Sequence, residues 1–465
     1  MNNENKNIGH FVFFGPANVG KSTMIGYIMS YNWHVEIFNA EVNKIKERIG
    51  ENYQTRRLYS YFVDEAKDEY TKNVALSFGI SHGTSKYHHI KNIGDFVLID
   101  TPGGNEYETQ RYKGLSLAKI GIFAIEIQQL LGLQEKLEKG ETQGYLKTVK
   151  DFFCSWYVWD KLHGAKNAII LLTKYDLRPG KDNYEKSKKV LYSIIGKEIE
   201  DLVIIPTGIS IENREDTNIF SKLNCNWYNG KTLIEAIKEK NEFIKENKNT
   251  EKILMFYNKV YGNVNGVGNV IRWKIDSGFI NLRDRLAIAP VLIGKRYEKI
   301  IASIKSMTYV NDNKILEFAN TGDIVDVSIS NVIYDNTTIP KDKIEISNTS
   351  IITGVEEIIR MGREIIGFIH LRSCKKDERN ILKSIKNNDH VRILWFGKVL
   401  TPEVIEINHE DEERTLLKLS LNNKCVALPE NFLPRKILLQ TIENDESKLP
   451  INFECVITDI LNENY

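Results

Sequence analysis

The sequence is poor in the features that mark unusual protein classes. Its five cysteines (Cys154, Cys225, Cys374, Cys425 and Cys455) are scattered through 465 residues, with no CxxC and no HxxxH pair. That excludes a disulfide framework and a zinc site of ordinary spacing, and makes a reducing cytoplasm the expected setting. Neither sign of charge is in excess: 63 Lys and Arg stand against 62 Asp and Glu. Such a balance excludes an overtly basic nucleic-acid or anionic-membrane binder, while leaving room for a local patch. Long apolar runs are missing as well. The longest, residues 168–172 and 120–125, fall far short of the roughly 20 residues that span a bilayer. Residues 1–7 are polar and Asn-rich, without the basic, apolar and small-residue order of a secretory leader. A soluble cytoplasmic protein with no membrane partner is expected.

What is present is a globular composition, 42% apolar and 27% charged. The length exceeds one ordinary core and predicts about two to four domains. In the first half, apolar runs alternate with helical segments. His10-Phe-Val-Phe-Phe14, Asp95-Phe-Val-Leu-Ile-Asp100, Gly121-Ile-Phe-Ala-Ile-Glu126, Ala168-Ile-Ile-Leu-Leu-Thr173 and Leu202-Val-Ile-Ile-Pro206 read as strands. Residues 22–31 and 184–200 read as helices, and residues 232–240 as a closing helix. Strands separated by helices predict a mostly parallel sheet covered on both faces. A charged, Asn-containing linker is expected at residues 245–252. Beyond it come short β-rich runs punctuated by Gly, Asn and Asp, at residues 270–275, 285–289, 297–305, 324–329, 364–370 and 391–396. These predict small antiparallel barrels. A weaker boundary near residues 348–356 gives three domains: an α/β domain over 1–246, then all-β barrel domains over 252–347 and 355–465.

Four loops carry chemistry. Gly15-Pro-Ala-Asn-Val-Gly20-Lys21-Ser22 matches the G-x-x-x-x-G-K-[ST] phosphate loop, with its apolar strand before and helix after. Backbone N–H groups of that loop wrap a phosphate chain, Lys21 reaches the β and γ phosphates, and the Ser22 hydroxyl holds Mg²⁺. Asp100-Thr-Pro-Gly103 closes the next strand, where an acidic residue binds Mg²⁺ and a glycine N–H senses a γ phosphate. DxxG is weak alone, since such a turn also arises for purely local reasons. Its place roughly eighty residues after a phosphate loop strengthens it. Thr173-Lys174-Tyr175-Asp176 ends another strand. A carboxylate at Asp176 accepts from the guanine N1–H and N2–H₂ edge, a donor pair that adenine lacks. Pro206-Thr207-Gly208-Ile209 ends the last strand, placing a backbone N–H near guanine O6.

In this order the four loops resemble the GTP-binding domain of regulatory GTPases, and more closely the elongation factor 1-alpha and Tu class of translational GTPases. Residues 7–23, the Asn226-Trp-Tyr-Asn-Gly-Lys-Thr-Leu-Ile-Glu-Ala-Ile segment, the Val260-Tyr-Gly-Asn-Val-Asn-Gly-Val-Gly-Asn-Val-Ile run and Ala319-Asn-Thr-Gly-Asp323 are similar to segments of that class. The resemblance is clear to about residue 330 and rests on length and β character beyond residue 350. It implies a P-loop GTPase domain followed by two barrels, a GTP/GDP switch that uses Mg²⁺, and a tRNA, ribosome or protein partner. It carries GTP-binding roles to Asn18, Val19, Gly20, Lys21, Ser22, Thr23, Asp100, Gly103, Thr173 (where the class has Asn), Lys174, Asp176, Thr207, Gly208 and Ile209, with Ser22 and Asp100 at the metal.

Two departures bear on hydrolysis. Gly104 occupies the position of the water-positioning His of the class, and a glycine orients nothing. At the first-switch Thr, alignment puts Ala75, with Thr71 or Thr84 as substitutes through a local shift. The hairpin expected at residues 81–90 carries His82, His88 and His89, read as solvated. Nucleotide binding is therefore expected, with hydrolysis weak or partner-assisted. Two other readings stay open: a GTP-using regulatory subunit of a sulfate adenylyltransferase-like enzyme, and a non-catalytic GTP-sensing assembly module. The aromatic run around Trp156 and Trp159 is expected to be helical core, with Cys154 unreactive. The acidic run at residues 408–414 and the cations Arg372, Lys375, Lys376 and Arg379 are read as solvated surface.

Overall fold

A computed structural model describes residues 9–31, 33–63, 80–82, 96–104, 107–196, 202–211, 214–222, 225–246, 252–264, 268–309, 315–374, 376–396, 398–409, 413–422, 424–442 and 451–461. The chain divides into two compact units, Met1–Asn247 and Lys248–Tyr465.

In the first unit, β1 (Gly9–Phe14), β2 (Ile80–His82), β3 (Phe96–Asp100), β4 (Ile120–Glu126), β5 (Ala168–Thr173) and β6 (Val203–Pro206) build one sheet in the order β2-β3-β1-β4-β5-β6. The five strands from β3 to β6 run parallel, and β2 pairs antiparallel at the edge. Their apolar runs lack alternation because both faces are buried, as at Phe11–Phe14 and throughout β5. Helices α1 (Lys21–Ser30), α2 (Val35–Ile49), α3 (Glu108–Leu117), α4 (Ile127–Glu138), α5 (Thr142–His163), α6 (Lys181–Ile195) and α7 (Leu233–Glu246) complete the α/β fold. Strand order reverses at β1, between β3 and β4. In open α/β sheets the crevice at the carboxyl ends of the strands beside such a reversal is where ligands bind.

Helix ends differ from the sequence reading for local reasons. The helix expected over 184–200 starts at Lys181 and stops at Gly196, whose φ of 106° leaves the helical region. The closing helix continues to Glu246, into the expected linker. The aromatic run is helical and central: Trp156 and Trp159 are fully buried in α5, and Trp159 stacks on Phe14 with ring centroids 5.3 Å apart. Cys154 is half-buried, and burial pushes its thiol up, away from the reactive thiolate.

The second unit holds two β structures. Seven strands from Leu254–Val264 to Ile344–Gly354 form a sheet, which the pairing of Gly268–Ser277 with Ile324–Tyr334 closes into a barrel. Trp273, Ile288 and Val327 lie in its core. Seven further strands between Glu364–His370 and Asn452–Leu461 form a second antiparallel sheet around Ile393, Leu439 and Ile457. Leu254, Phe256, Ala289 and Ile351 join that second core, Phe256 stacks on Phe396 at 3.5 Å, and Arg435 pairs with Asp276 at 2.9 Å. Among the cations read as surface, Arg372 is exposed and ion-paired with Glu413, and Lys376 opens a short helix. Residue 375 and residues 410–412 of the acidic run lie outside the described residues.

Candidate functional site

The loop after β1 is shaped by its glycines. Gly15 has φ 130°, and a β-carbon there would meet the Ala124 carbonyl oxygen of β4 at 2.1 Å. Gly20 has φ 93° and caps α1 without a side-chain hydrogen bond, so the first turn of α1 keeps its N–H groups for another acceptor. Asn18 also has positive φ, 62°. Val19 is buried, and Ser22 and Thr23 are half-buried beside it. The Lys21 ammonium is buried and donates to the Gly15 and Pro16 carbonyls at 3.1 and 2.6 Å. Burial lowers it to about 8, a shift that Asp100 opposes and Arg111 reinforces.

The loop after β3 meets this one directly. Asp100 is buried and accepts from Ser22 Oγ, and Thr101 Oγ1 donates to the Phe13 carbonyl at 2.7 Å. Gly103 passes so close to the phosphate-loop backbone that a β-carbon would meet Ala17 N at 2.4 Å and Pro16 C at 2.5 Å. Gly104 follows in a bend, half-buried, and presents no side chain.

The loops after β5 and β6 form a second cluster on the same rim. Lys174 has φ 55° and pairs with Glu126, at the end of β4, at 2.7 Å. Parallel register sets Glu126 beside Thr173, which is why residues 48 apart in sequence meet. Asp176 is left without a cation partner among the described residues and opens to solvent. Partial burial raises its carboxyl above the usual range by desolvation, against the pull of its own backbone N–H and of Lys174. Tyr175 N donates to the Thr207 carbonyl at 3.0 Å, and Thr207 N to the Leu172 carbonyl at 2.8 Å. Gly208 lies against the Asp176 carboxylate, with Ile209 half-buried beyond it. The Thr173 hydroxyl is buried with no hydrogen-bond partner among the described residues.

The structure thus gathers the residues singled out in sequence into two clusters at the carboxyl ends of one parallel sheet. The first-switch positions Thr71, Ala75 and Thr84, and His88 and His89, lie outside the described residues. Sequence reasoning missed Glu126 and Arg111. Arg111 is fully buried on α3, and its Nη1 donates to the Gly103 carbonyl at 3.4 Å. Among the described residues no cluster of three or more His, Cys, Asp or Glu is arranged to hold a metal by itself. No helix among them is long and apolar enough to cross a membrane.

No family model matches the chain. Elongation factor 1-alpha of Nanoarchaeum equitans is 21% identical over 369 residues, 77% of this chain and 74% of that protein. The Thermofilum pendens elongation factor 1-alpha is 21% identical over 316 residues; that match spans 64% of this chain and 63% of the relative, under two thirds of its length. In fold, the chain is similar to the S. cerevisiae Ski7 GTPase-like domain bound to GDP and inorganic phosphate. The TM-score is 0.71 at 15% identity, covering 98% of this chain and 97% of that one. Sequence similarity and likeness of fold run in one direction: the chain is a divergent, GTP-binding, elongation-factor-like protein, similar to the elongation factor 1-alpha/Tu class of translational GTPases.

Proposed function

We propose that the chain is a Mg·GTP-dependent switch of the cytoplasm whose GTP form engages a tRNA, ribosomal or other partner, and whose hydrolysis is slow unless a partner assists. The observation that carries this reading is the convergence of four loops on one rim. The phosphate loop and Gly103 touch, Ser22 touches Asp100, and Asp176 touches Gly208.

In this reading the polyphosphate lies along Asn18, Val19, Gly20, Lys21, Ser22 and Thr23, whose backbone N–H groups and ammonium supply positive charge. Gly103 offers its N–H to the terminal phosphate. Asp176 takes the guanine N1–H and N2–H₂ edge, the Lys174 stem flanks the base, and the Thr207-Gly208-Ile209 backbone meets O6. Thr173 contributes to the wall of the pocket.

The donor set suits magnesium. A hydroxyl and a carboxylate, both oxygen, already touch at Ser22 and Asp100. Mg²⁺ is usually held by one or two protein oxygens together with phosphates and water, not by a closed protein cage. Ser22 and Asp100 would hold it, and the ion would neutralise phosphate charge. The chain's own residues do the rest: Lys21 binds phosphate, Asp176 selects the base, and Gly104 leaves the attacking water unoriented.

The test is base selectivity. Asp176→Asn is expected to move preference from GTP to xanthosine triphosphate, whose extra carbonyl matches the amide donor. Unchanged preference in a competition assay would remove Asp176 from the site.

A further inference from the structure

Among the described residues, buried charge around the phosphate loop does not balance. Lys21 and Arg111 are both buried cations, and Asp100 is the buried carboxylate beside them. Arg111 forms no ion pair with any described residue. Its Nη1 bond to the Gly103 carbonyl is long at 3.4 Å, and its buried Nε has no hydrogen-bond partner. The guanidinium also lies 5.9 Å from the centroid of the Tyr112 ring, with the Cys154 thiol and the Lys21 ammonium within electrostatic reach.

A buried cation left so poorly satisfied is costly, and cations persist in such places when an anion completes them. Guanidinium is suited to this task, because its planar fork meets phosphate oxygens in pairs. The position fits as well. Arg111 reaches the residue whose N–H faces the terminal phosphate in the proposed function, and that residue rests on the phosphate loop.

We propose that Arg111 is a specificity-determining ligand of the terminal phosphoryl group, leaving the Gly103 carbonyl to bind it. The group is the γ phosphate of GTP, or free phosphate held beside GDP. This rests on the proposed GTP site and goes beyond it, because it assigns recognition of the third phosphate to a residue outside the four loops. Arg111 thereby links occupancy of that position to the start of α3. When GDP alone is bound, the guanidinium returns to the Gly103 carbonyl.

The test compares Arg111→Met and Arg111→Lys with the unaltered full chain. Affinities for GTP, for GDP and for GDP with added inorganic phosphate are measured by calorimetry, and folding is checked by thermal unfolding. Arg111→Met is expected to weaken GTP about 10- to 100-fold, the scale of a lost hydrogen bond to a charged group, and to leave GDP within about twofold. Arg111→Lys should recover part of the GTP loss. Loss of phosphate enhancement of GDP binding in Arg111→Met would place free phosphate at the same point; no enhancement in the unaltered chain would leave the γ phosphate as the sole source. An unchanged ratio of GTP to GDP affinity in Arg111→Met overturns the inference, as does equal weakening of both nucleotides. Failure of the unaltered chain to bind either nucleotide would instead overturn the underlying site.

Discussion

A β-carbon on Gly208 would lie 2.5 Å from Asp176 Oδ1. The loop after β6 is therefore closed onto the loop after β5 at the carboxylate proposed to read guanine. Gly208→Ala is expected to push that carboxylate aside and weaken GTP by tenfold or more, about 1.4 kcal/mol, with ATP binding remaining negligible. Calorimetric affinities for both nucleotides check this. An unaltered GTP affinity would mean that the two loops do not cooperate in one pocket.

Gly103 stands in the same relation to the phosphate loop. Its missing side chain lets two backbones touch, at Ala17 and Pro16. Since backbone cannot yield as a flexible side chain does, Gly103→Ala should cost about 1–3 kcal/mol of stability and separate the loops. Urea unfolding measures the first effect and GTP affinity the second. Full retention of both would contradict the observed approach.

Lys21 is expected to give nucleotide binding a pH dependence. Burial lowers its ammonium to about 8 in the nucleotide-free chain. Phosphate favours the charged form, so the value rises on binding and a proton is taken up above pH 8. Affinity should thus be level with respect to this group below about 8. Above that it should fall by at most about tenfold per pH unit, up to the value in the complex. Calorimetry in buffers of different ionisation enthalpy detects the proton uptake. Lys21→Met should weaken binding and abolish the pH dependence; persistence of the dependence would assign it elsewhere.

Gly104 supplies no group to orient water. Gly104→His should raise GTP turnover by the isolated chain on the order of tenfold to a hundredfold, with little change in affinity. Single-turnover phosphate release is the measurement. A fast unaltered chain, or no gain in the variant, would point to another water-positioning group.

The placement of the four loops at the ends of buried strands on one rim was legible, because the apolar runs and the residues that close them both lie along the chain. The barrels showed through their turn residues and short β runs. Closure by Gly268–Ser277 and Ile324–Tyr334 did not, since strand pairing at such separation leaves no local trace. Glu126 was hidden for a related reason: its tie to Lys174 depends on the β4–β5 register. Arg111 was concealed by its neighbours. Glu108-Thr-Gln-Arg111-Tyr-Lys113 is polar on nearly every side and reads as an exposed turn of helix, yet Arg111 and Tyr112 face inward. Its place eight residues after Gly103 was the one available hint. The α6 boundary was misplaced because the helical pattern runs past Gly196, where the backbone leaves the helix.

The most direct measurement is titration of the purified full chain with GTP, GDP and ATP in magnesium. Saturable binding of GTP and GDP at one site per chain, with ATP silent, is the predicted result. Heat from ATP equal to that from GTP, or none from any of the three, would contradict a guanine-nucleotide pocket on the rim of this sheet.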